Sequence, residues 1–490
     1  MNKIISFLAV CFIFCTLMNA QNSPATPILT LEEAIRISQE NSPAAKQIRA
    51  SYQSNYWSFK ASEASRRPQL SLQGNAPGFT RQINRVIQPD GSFIFIPVQQ
   101  AFSNGNLFIS QDILATGGNI TVGSGISRGD IFTTQETYYQ ANPLLISLYQ
   151  PLFRFNVRKW QWQQDKLQLQ YATVAQLELL EDLSINVTQS FFNLHMARLQ
   201  LQNAQLNMAI NDTIYKIAKG RFSVGKIAEN ELLQVELSFT NARNAVEQQR
   251  LQIILSEMQL GIFTGPLSKE TIVIPPERIP EIQPEIQKAI AEAKNNRSDL
   301  ITYTMNEKKA ERALREAQLS RRFTGDLNVN YGLNQTGPTI ASSTKNLLES
   351  QYVGIGFNIP LASFGKNKAI QRSAEYALEA QRQSIQNNLN GLELDIYTAV
   401  LQLEQLRNSL IISAKADTIA RKRYEVARNR YRIGTVDITN LLIAQNEKDQ
   451  ALLTYISTLR DYWVAYFRLR RLTLFDWEKN VKIAEATVNN

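Results

Sequence analysis

One segment of the chain occurs twice. Tyr215 to Glu236 reads YKIAKGRFSVGKIAENELLQVE, and Tyr424 to Gln445 reads YEVARNRYRIGTVDITNLLIAQ. The pairs Tyr215/Tyr424, Ala218/Ala427, Arg221/Arg430, Gly225/Gly434, Leu232/Leu441 and Leu233/Leu442 each stand 209 residues apart, with the aromatic pair Phe222/Tyr431 among them. In both copies a long amphipathic pattern runs into a glycine and a second pattern starts just beyond it. That layout predicts two helices reversing at a tight tip. The chain therefore reads as a duplication, and 490 residues accommodate two units of this period.

Residues 1–20 place Lys3 ahead of an apolar core from Ile4 to Met18 and end on Ala20, the layout of a cleaved secretory signal peptide. Both cysteines, Cys11 and Cys15, lie in that segment, so the mature chain is expected to carry no disulfide and no cysteine-bound metal. A lipid-anchored reading at Cys11 is weakened by Val10, where a small residue is wanted. No later apolar run approaches the ~20 residues of a spanning helix, so membrane entry would need β-strands or a surface helix. The net charge of +9 is diffuse, with no basic run interleaved with aromatics, and nucleic-acid binding is not indicated.

Taken in order, the pattern from Leu31 to about Arg66 is helical, opened by the capping-box pair Thr30 and Glu33 and interrupted at Pro43. After Ser65-Arg66-Arg67 the period becomes alternating, with Leu70 and Leu72 among polar residues. The second half makes the same switch after Ser320-Arg321-Arg322. There Leu327, Val329, Tyr331 and Leu333 alternate with Asn328, Asn330, Gly332 and Asn334. Beyond a polar loop, Val353, Ile355, Phe357, Ile359 and Leu361 alternate with Gly354, Gly356, Asn358 and Pro360. A hairpin over 326–361 with one apolar and one polar side suits a membrane barrel, although any half-buried hairpin alternates. Ile146, Leu148, Pro151 and Leu152 match Ile355, Phe357, Pro360 and Leu361 at the same offset of 209.

Arg66 to Pro151 spans 85 residues and Arg321 to Pro360 spans 39, so the first half holds 46 extra residues within about 76–139. These include Leu107–Ile113 and Ile120–Ile126 flanking Ala115-Thr116-Gly117-Gly118-Asn119, another hairpin signal whose place, in the barrel or outside it, the pattern leaves open. Long helical patterns follow, from about Val157 to Arg221 and from about Asn367 to Arg430, each on the order of 95 Å if straight. Heptad spacing runs through Leu180, Val187, Leu194, Leu201, Met208 and Tyr215, and again through Leu389, Ile396, Leu403, Leu410, Asp417 and Tyr424. Small residues at Ser190, Ala197 and Ala204 would let helices approach closely. Shorter return helices are expected at about Ala228–Leu260 and Ile438–Leu472, and a proline-rich crossover over 266–283 joins the repeats.

The predicted architecture is mostly α with membrane β-strands: strand, strand, long helix and short helices, twice. The first repeat occupies 21–265 with its tip at 221–231, the second 284–472 with its tip at 430–440, and 473–490 form a tail. Four strands cannot close a membrane barrel, because a spanning sheet has no free edge and the smallest known barrels have eight. The protomers should therefore associate into a ring, giving a conduit.

The chain resembles the outer-membrane efflux protein family, the TolC-type channels. The resemblance rests on the TLEEAI start at Thr30, the Arg-Arg pair before each first strand, the YQPLF and NIPLASFG strand ends and the two R-[FY]-x-x-G tips. It implies a homotrimer with a twelve-stranded barrel in lipid of the outer membrane and an α-helical tunnel across the periplasm. It also implies docking to a periplasmic adaptor and an inner-membrane pump or ABC exporter. By position, the family's acidic residue six after the first tip glycine is Glu231, and its acidic aperture residue in the second repeat falls on Asn440, with Ile443 three further on. The arginine expected two after Gly434 is Val436, and the nearby tyrosine is kept as Tyr431. The family's tip ion pair and acidic ring are thus not reproduced, and Asp437 is either a shifted charge or a helix-start acid offsetting the dipole.

The gate and docking rim are accordingly expected at Tyr215, Phe222, Gly225, Glu231, Tyr424, Tyr431, Gly434, Asp437 and Asn440. His195 is the only histidine, so a His-rich metal site or a Ser/His pair is not plausible, and no cofactor is expected. Gly117-Gly118 lacks a following lysine and reads as a turn. Aromatics near the strand ends, Phe153, Phe155, Tyr331, Tyr352 and Phe364, fit interfacial girdles. The leading expectation is a passive exit duct for drugs, toxic compounds or secreted products. The alternative is a periplasmic coiled-coil or adhesive rod with no channel; an enzyme has little support, since no nucleophile, base and orienting group assemble.

Overall fold

The computed structural model describes residues 28–268, 271–276, 279–433, 435–436 and 438–486. The expected signal segment 1–20 lies outside them. The described chain divides into two compact units that interleave in sequence. One takes residues up to Tyr52, Val174–Arg297 and those from Gly391 onward; the other takes Gln53–Thr173 and Ser298–Asn390.

Strand β1 (Ile28–Thr30) leads into helices α1 (Leu31–Asn41) and α2 (Pro43–Ala64). The Thr30 hydroxyl accepts the Glu33 amide at 3.2 Å, one half of the expected capping box, while the Glu33 carboxylate pairs with Arg36 at 2.6 Å instead of reaching back to Thr30. Pro43 divides one predicted helix into two. The Ser42 amide donates to the Ser38 carbonyl, ending α1, while the Ser42 hydroxyl accepts the Ala45 amide at 3.0 Å and starts α2. Proline is tolerated at that first position, where its missing N–H has no helical acceptor.

Strands β2 (Gln69–Ile87), β3 (Phe93–Ile113), β4 (Gly118–Ile131) and β5 (Glu136–Leu152) follow, then helices α3 (Val157–Ser223) and α4 (Glu229–Thr264). Strand β6 (Ile272–Ile274) pairs in parallel with β1. The second half holds α5 (Ile286–Asn296), α6 (Ser298–Leu319), β7 (Thr324–Gly337), the short α7 (Ile340–Ser343), β8 (Leu348–Asn358), α8 (Lys366–Arg432) and α9 (Ile438–Thr473). Two short strands, β9 (Phe475–Asp476) and β10 (Val481–Lys482), pair with each other before α10 (Ile483–Ala486).

Both long helices have 67 residues and both return helices 36. Helices α8 and α9 begin at the same offset from α3 and α4 that separates the two tips. Helices α5 and α6 match α1 and α2 in length, 11 and 22 residues, but are displaced from them by a larger offset. The two offsets differ by 46, the size of the insertion.

Six strands form one antiparallel sheet in the order β2-β3-β4-β5-β7-β8. The second repeat supplies the expected two strands and the first supplies four, because the insertion, whose place the pattern left open, becomes part of β2 together with β3, β4 and the start of β5. The second hairpin, expected over 326–361, runs from Thr324 to Asn358. Ile359, expected in a strand, lies one residue past it. The ladder's last pair is Thr324↔Asn358; Phe323, the next residue in register with Ile359, lies outside the strand, and Pro360 offers no N–H to continue.

In the first unit the heptad pattern supplies the core. Val187, Leu194, Ile396 and Leu403 are buried, with Ser190 and Ala197 as the small residues between helices. Phe191, Phe192, Tyr462, Tyr466 and Leu469 are almost wholly buried beside them, and a large apolar side chain so placed contributes about 1.5–3 kcal/mol. The Tyr462 hydroxyl donates to the Pro280 carbonyl at 2.9 Å, tying the crossover to α9.

Candidate functional site

In the second unit the sheet presents one apolar and one polar face. Register sets Leu327 opposite Ile355 and Val329 opposite Val353, so these side chains share a face. Tyr331 and Leu333 continue that face on β7, and Phe357 continues it on β8. Val353, Ile355 and Phe357 are each about two-thirds exposed or more. A row of exposed β-branched and aromatic side chains of this kind marks a surface meant for apolar surroundings. The opposite face carries Asn328, Asn330 and Ser147, with Ser147 directly opposite Asn330. The first and last strands of the sheet have no partner on their outer edges among the described residues.

At the base of this sheet the Arg-Arg motifs take up structural roles. The Arg66 guanidinium lies 3.0 Å from the centre of the Trp162 ring, and Arg321 donates to the Gln371 side-chain carbonyl. Arg154 pairs with Asp326 at 2.8 Å, and the Tyr149 hydroxyl donates to the same carboxylate at 2.8 Å.

The first unit contains both tips. At the first, Gly225 has φ +69°; its amide donates to Phe222, and the Lys226 amide reaches back to the Arg221 carbonyl, both at 2.9 Å. This double closure is a Schellman motif, with glycine in the left-handed position. At the second tip the Thr435 amide donates to the Arg430 carbonyl at 3.0 Å, the equivalent bond in the second repeat. Gly434 and Asp437 lie outside the described residues, as does the side chain of Tyr431.

Tyr215 stacks on Phe239 of α4, with centroids 5.8 Å apart. Tyr424 lies under Lys448 of α9, whose ammonium is 4.7 Å from the ring centre. Phe222 is exposed, and so is Glu231 in the first turn of α4, where its charge complements the helix N-terminus. Asn440 is exposed in α9, Ile443 is partly exposed, and Val436 is half-buried. Of the predicted tip residues, Tyr215, Phe222, Gly225, Glu231, Tyr424 and Asn440 thus lie on two hairpins of one unit, and Glu231 has no ion-pair partner among the described residues. Sequence reasoning missed Phe239 and Lys448, which occupy equivalent positions in the two repeats but share no residue type that would mark them.

Between the two hairpins of that unit runs an apolar groove of about 370 Å³, lined by Leu206, Ile210, Ile214, Ile217, Tyr424 and Leu441. Nearer the core, Arg470 bridges Glu181 at 3.0 Å and Asp476 at 3.2 Å, and Arg471 pairs with Asp182 at 2.9 Å. Burial pushes the Glu181 carboxyl above its ordinary range, and Arg470 opposes that shift. Burial pushes the His195 imidazole down, opposed by a hydrogen bond with the Val273 backbone. Among the described residues no cluster of His, Asp or Glu is arranged to hold a metal, and no helix is long and apolar enough to cross a membrane.

Comparison with known proteins gives this arrangement a context. The family model described as outer membrane efflux protein matches residues 118–265 and 289–473, more than half of the chain. The Campylobacter jejuni CmeC outer membrane channel superposes with a TM-score of 0.66 at 14% identity, covering 94% of this chain and 88% of that one. The open state of the Neisseria gonorrhoeae MtrE outer membrane channel gives 0.61 at 13% identity, covering 93% of each. The Vibrio cholerae outer membrane protein VceC gives 0.59 at 12%, covering 91% of this chain and 95% of that one. No curated protein matches the sequence.

Proposed function

Because the chain belongs to the outer membrane efflux protein family, we propose that it is the passive exit duct of a tripartite efflux pump or type I secretion system. Three copies close one barrel in the outer membrane and one helical tunnel across the periplasm. The observation that carries this reading is the six-stranded sheet, which has an apolar face and, among the described residues, two unpaired edges. A spanning sheet must have every backbone group satisfied, so these edges require neighbouring copies. A rod without a pore would leave the same apolar face uncovered in water.

Energy comes from an inner-membrane pump or ABC exporter, and this chain contributes the pore, a gate at the tips and a docking rim. The groove beside Ile210 and Tyr424 suits the apolar edge of an adaptor's helical hairpin, since helix-in-groove recognition buries side chains at helical spacing. A photo-crosslinking residue at Ile210, in cells carrying the full chain, should trap a periplasmic adaptor identified by mass spectrometry. Crosslinks only to other copies of this chain would overturn the docking assignment.

A further inference from the structure

The 46-residue insertion lengthens the sheet from within, and through the middle of β3 and β4 its residues continue the two faces of their neighbours. Leu70 pairs with Ile109, Ile109 with Val122, Val122 with Ile146 and Ile146 with Tyr331, an unbroken apolar row across five strands. One residue away, Ser110, Thr121, Ser147 and Asn330 form the matching polar row. On that side Asn119 donates to Asp112 at 2.8 Å and to Ser110 at 3.0 Å, and the Thr121 hydroxyl reaches Asn119 at 3.1 Å. A hairpin that projected from the sheet, or folded into a pore, would have no reason to keep lipid-type side chains in line with those of β5 and β7. A one-residue slip would exchange the two faces, so the register itself is informative.

Two further observations agree. Strand β4 has 14 residues and β3 has 21, each enough to cross an apolar band of about 25 Å when tilted. In the same unit α2, α3, α6 and α8 lie side by side. Ser62 bonds Asp165, Gln164 donates to the Met305 carbonyl, and Arg382 pairs with Glu307. Four helices per chain make twelve in three copies, with a perimeter of roughly 95–120 Å at 8–10 Å spacing. Eighteen strands about 4.8 Å apart, tilted by 35–45°, need roughly 105–120 Å, whereas twelve need only roughly 70–80 Å.

We propose that the insertion is built into the barrel wall, so that each chain contributes six strands and a three-copy assembly closes with eighteen. The count of three rests on the proposed function; the six-strand contribution rests on the register. The outer mouth is then about one and a half times as wide as that of a twelve-stranded barrel, since diameter grows roughly with strand number. It admits correspondingly bulkier solutes. The even number per chain also lets β8 of one copy run antiparallel to β2 of the next, as the rest of the sheet does.

The sequence has no cysteine after Cys15, so single-cysteine variants report cleanly. Ile109→Cys, Val122→Cys and the reference Val329→Cys would carry a small fluorophore in full-length protein reconstituted in vesicles holding a nitroxide-labelled lipid. Ser110→Cys, Thr121→Cys and the reference Asn330→Cys would be probed with aqueous iodide. Lipid quenching at 109 and 122 equal to that at 329, with iodide quenching at 110 and 121 equal to that at 330, is the expected result. Leu107→Cys and Ile120→Cys, on the same face, replace Ile109→Cys or Val122→Cys if either does not fold. Lipid quenching at 329 but not at 109 and 122 would place the insertion outside the wall and overturn the proposal. Loss of lipid quenching at 329 as well would overturn the channel reading instead. Native mass spectrometry of the detergent-purified complex should give three chains; two would reduce the wall to twelve strands and overturn the count.

Discussion

The rings of Tyr215 and Phe239 stack with centroids 5.8 Å apart and planes 5° from parallel, holding α3 against α4 near the first tip. The equivalent positions in the second repeat are Tyr424 and Lys448, where an ammonium replaces the second ring at 4.7 Å. Gln39 donates to Ser184 where its counterpart Lys294 pairs with Glu393, and Arg66 covers Trp162 where Arg321 meets Gln371. The duplication has preserved the places of contact between lanes while the chemistry at each has diverged.

A double-mutant cycle on Tyr215→Ala and Phe239→Ala should give a coupling of about 0.5–1.5 kcal/mol, the value of an aromatic pair beyond its buried area. The cycle on Tyr424→Ala and Lys448→Ala should give about 0.5–1 kcal/mol and weaken with added salt, as a cation–π contact does. Melting of the detergent-solubilised protein at two ionic strengths measures both.

Gly225→Val should destabilise the first tip by about 1–2 kcal/mol and impair efflux, because a β-branched residue is forced to positive φ. A Cβ at Gly225 meets nothing within 4 Å, so the penalty is conformational and not steric crowding. Gly225→Asn should therefore retain most activity. Hydrogen exchange at the Lys226 amide reports the local opening, and minimum inhibitory concentrations report the function.

Arg470→Met should cost about 3–5 kcal/mol, since it strands the buried carboxylates of Glu181 and Asp476 without their cation. Chemical denaturation in detergent measures the loss. An unchanged midpoint would show that the cluster contributes nothing to stability.

Burial holds the His195 ring below its ordinary value of 6.5. The unfolded chain therefore takes up a proton there before the folded chain does. The contribution is fully present above 6.5 and is lost as pH falls through the folded value. Glu181, raised by burial, acts with the opposite sign above its ordinary 4.5, so the comparison is made against a variant and not against pH alone. Between about pH 7 and about pH 5, His195→Gln should melt with a shallower acid-side decline than the unaltered protein.

The periodic parts of this fold were legible in the sequence, and the parts that depend on pairing were not. Heptads at Val187 and Leu194, the capping pair Thr30 and Glu33 and the two tips each follow from a local pattern. The insertion was countable to the residue because Arg66, Pro151, Arg321 and Pro360 mark matching points. Its strands were only partly visible, since β2 runs through Asn75, Gly78, Thr80, Arg81 and Gln82, where neither face is consistently apolar. Strand membership there is decided by the neighbouring strand β3, which local periodicity does not contain. The break between α5 and α6 at Arg297 was hidden for a similar reason. Ser298 stands where the first repeat has Pro43, so no residue type announces it. Within the candidate site the tips were legible, and their stabilising partners Phe239 and Lys448 became evident only as contacts.

Val329→Arg should cost about 2–4 kcal/mol for insertion into a bilayer if the residue sits near the midplane of the lipid face, whereas Asn330→Arg on the polar face should be tolerated. Equilibrium folding into vesicles separates the two variants.

The central claim, that this chain forms a pore, is tested most directly by single-channel recording of the purified full-length protein in a planar lipid bilayer. The account predicts discrete, uniform conductance steps that are changed by substitutions at the tips. A protein that inserts, or remains soluble, without ever producing such steps would contradict it.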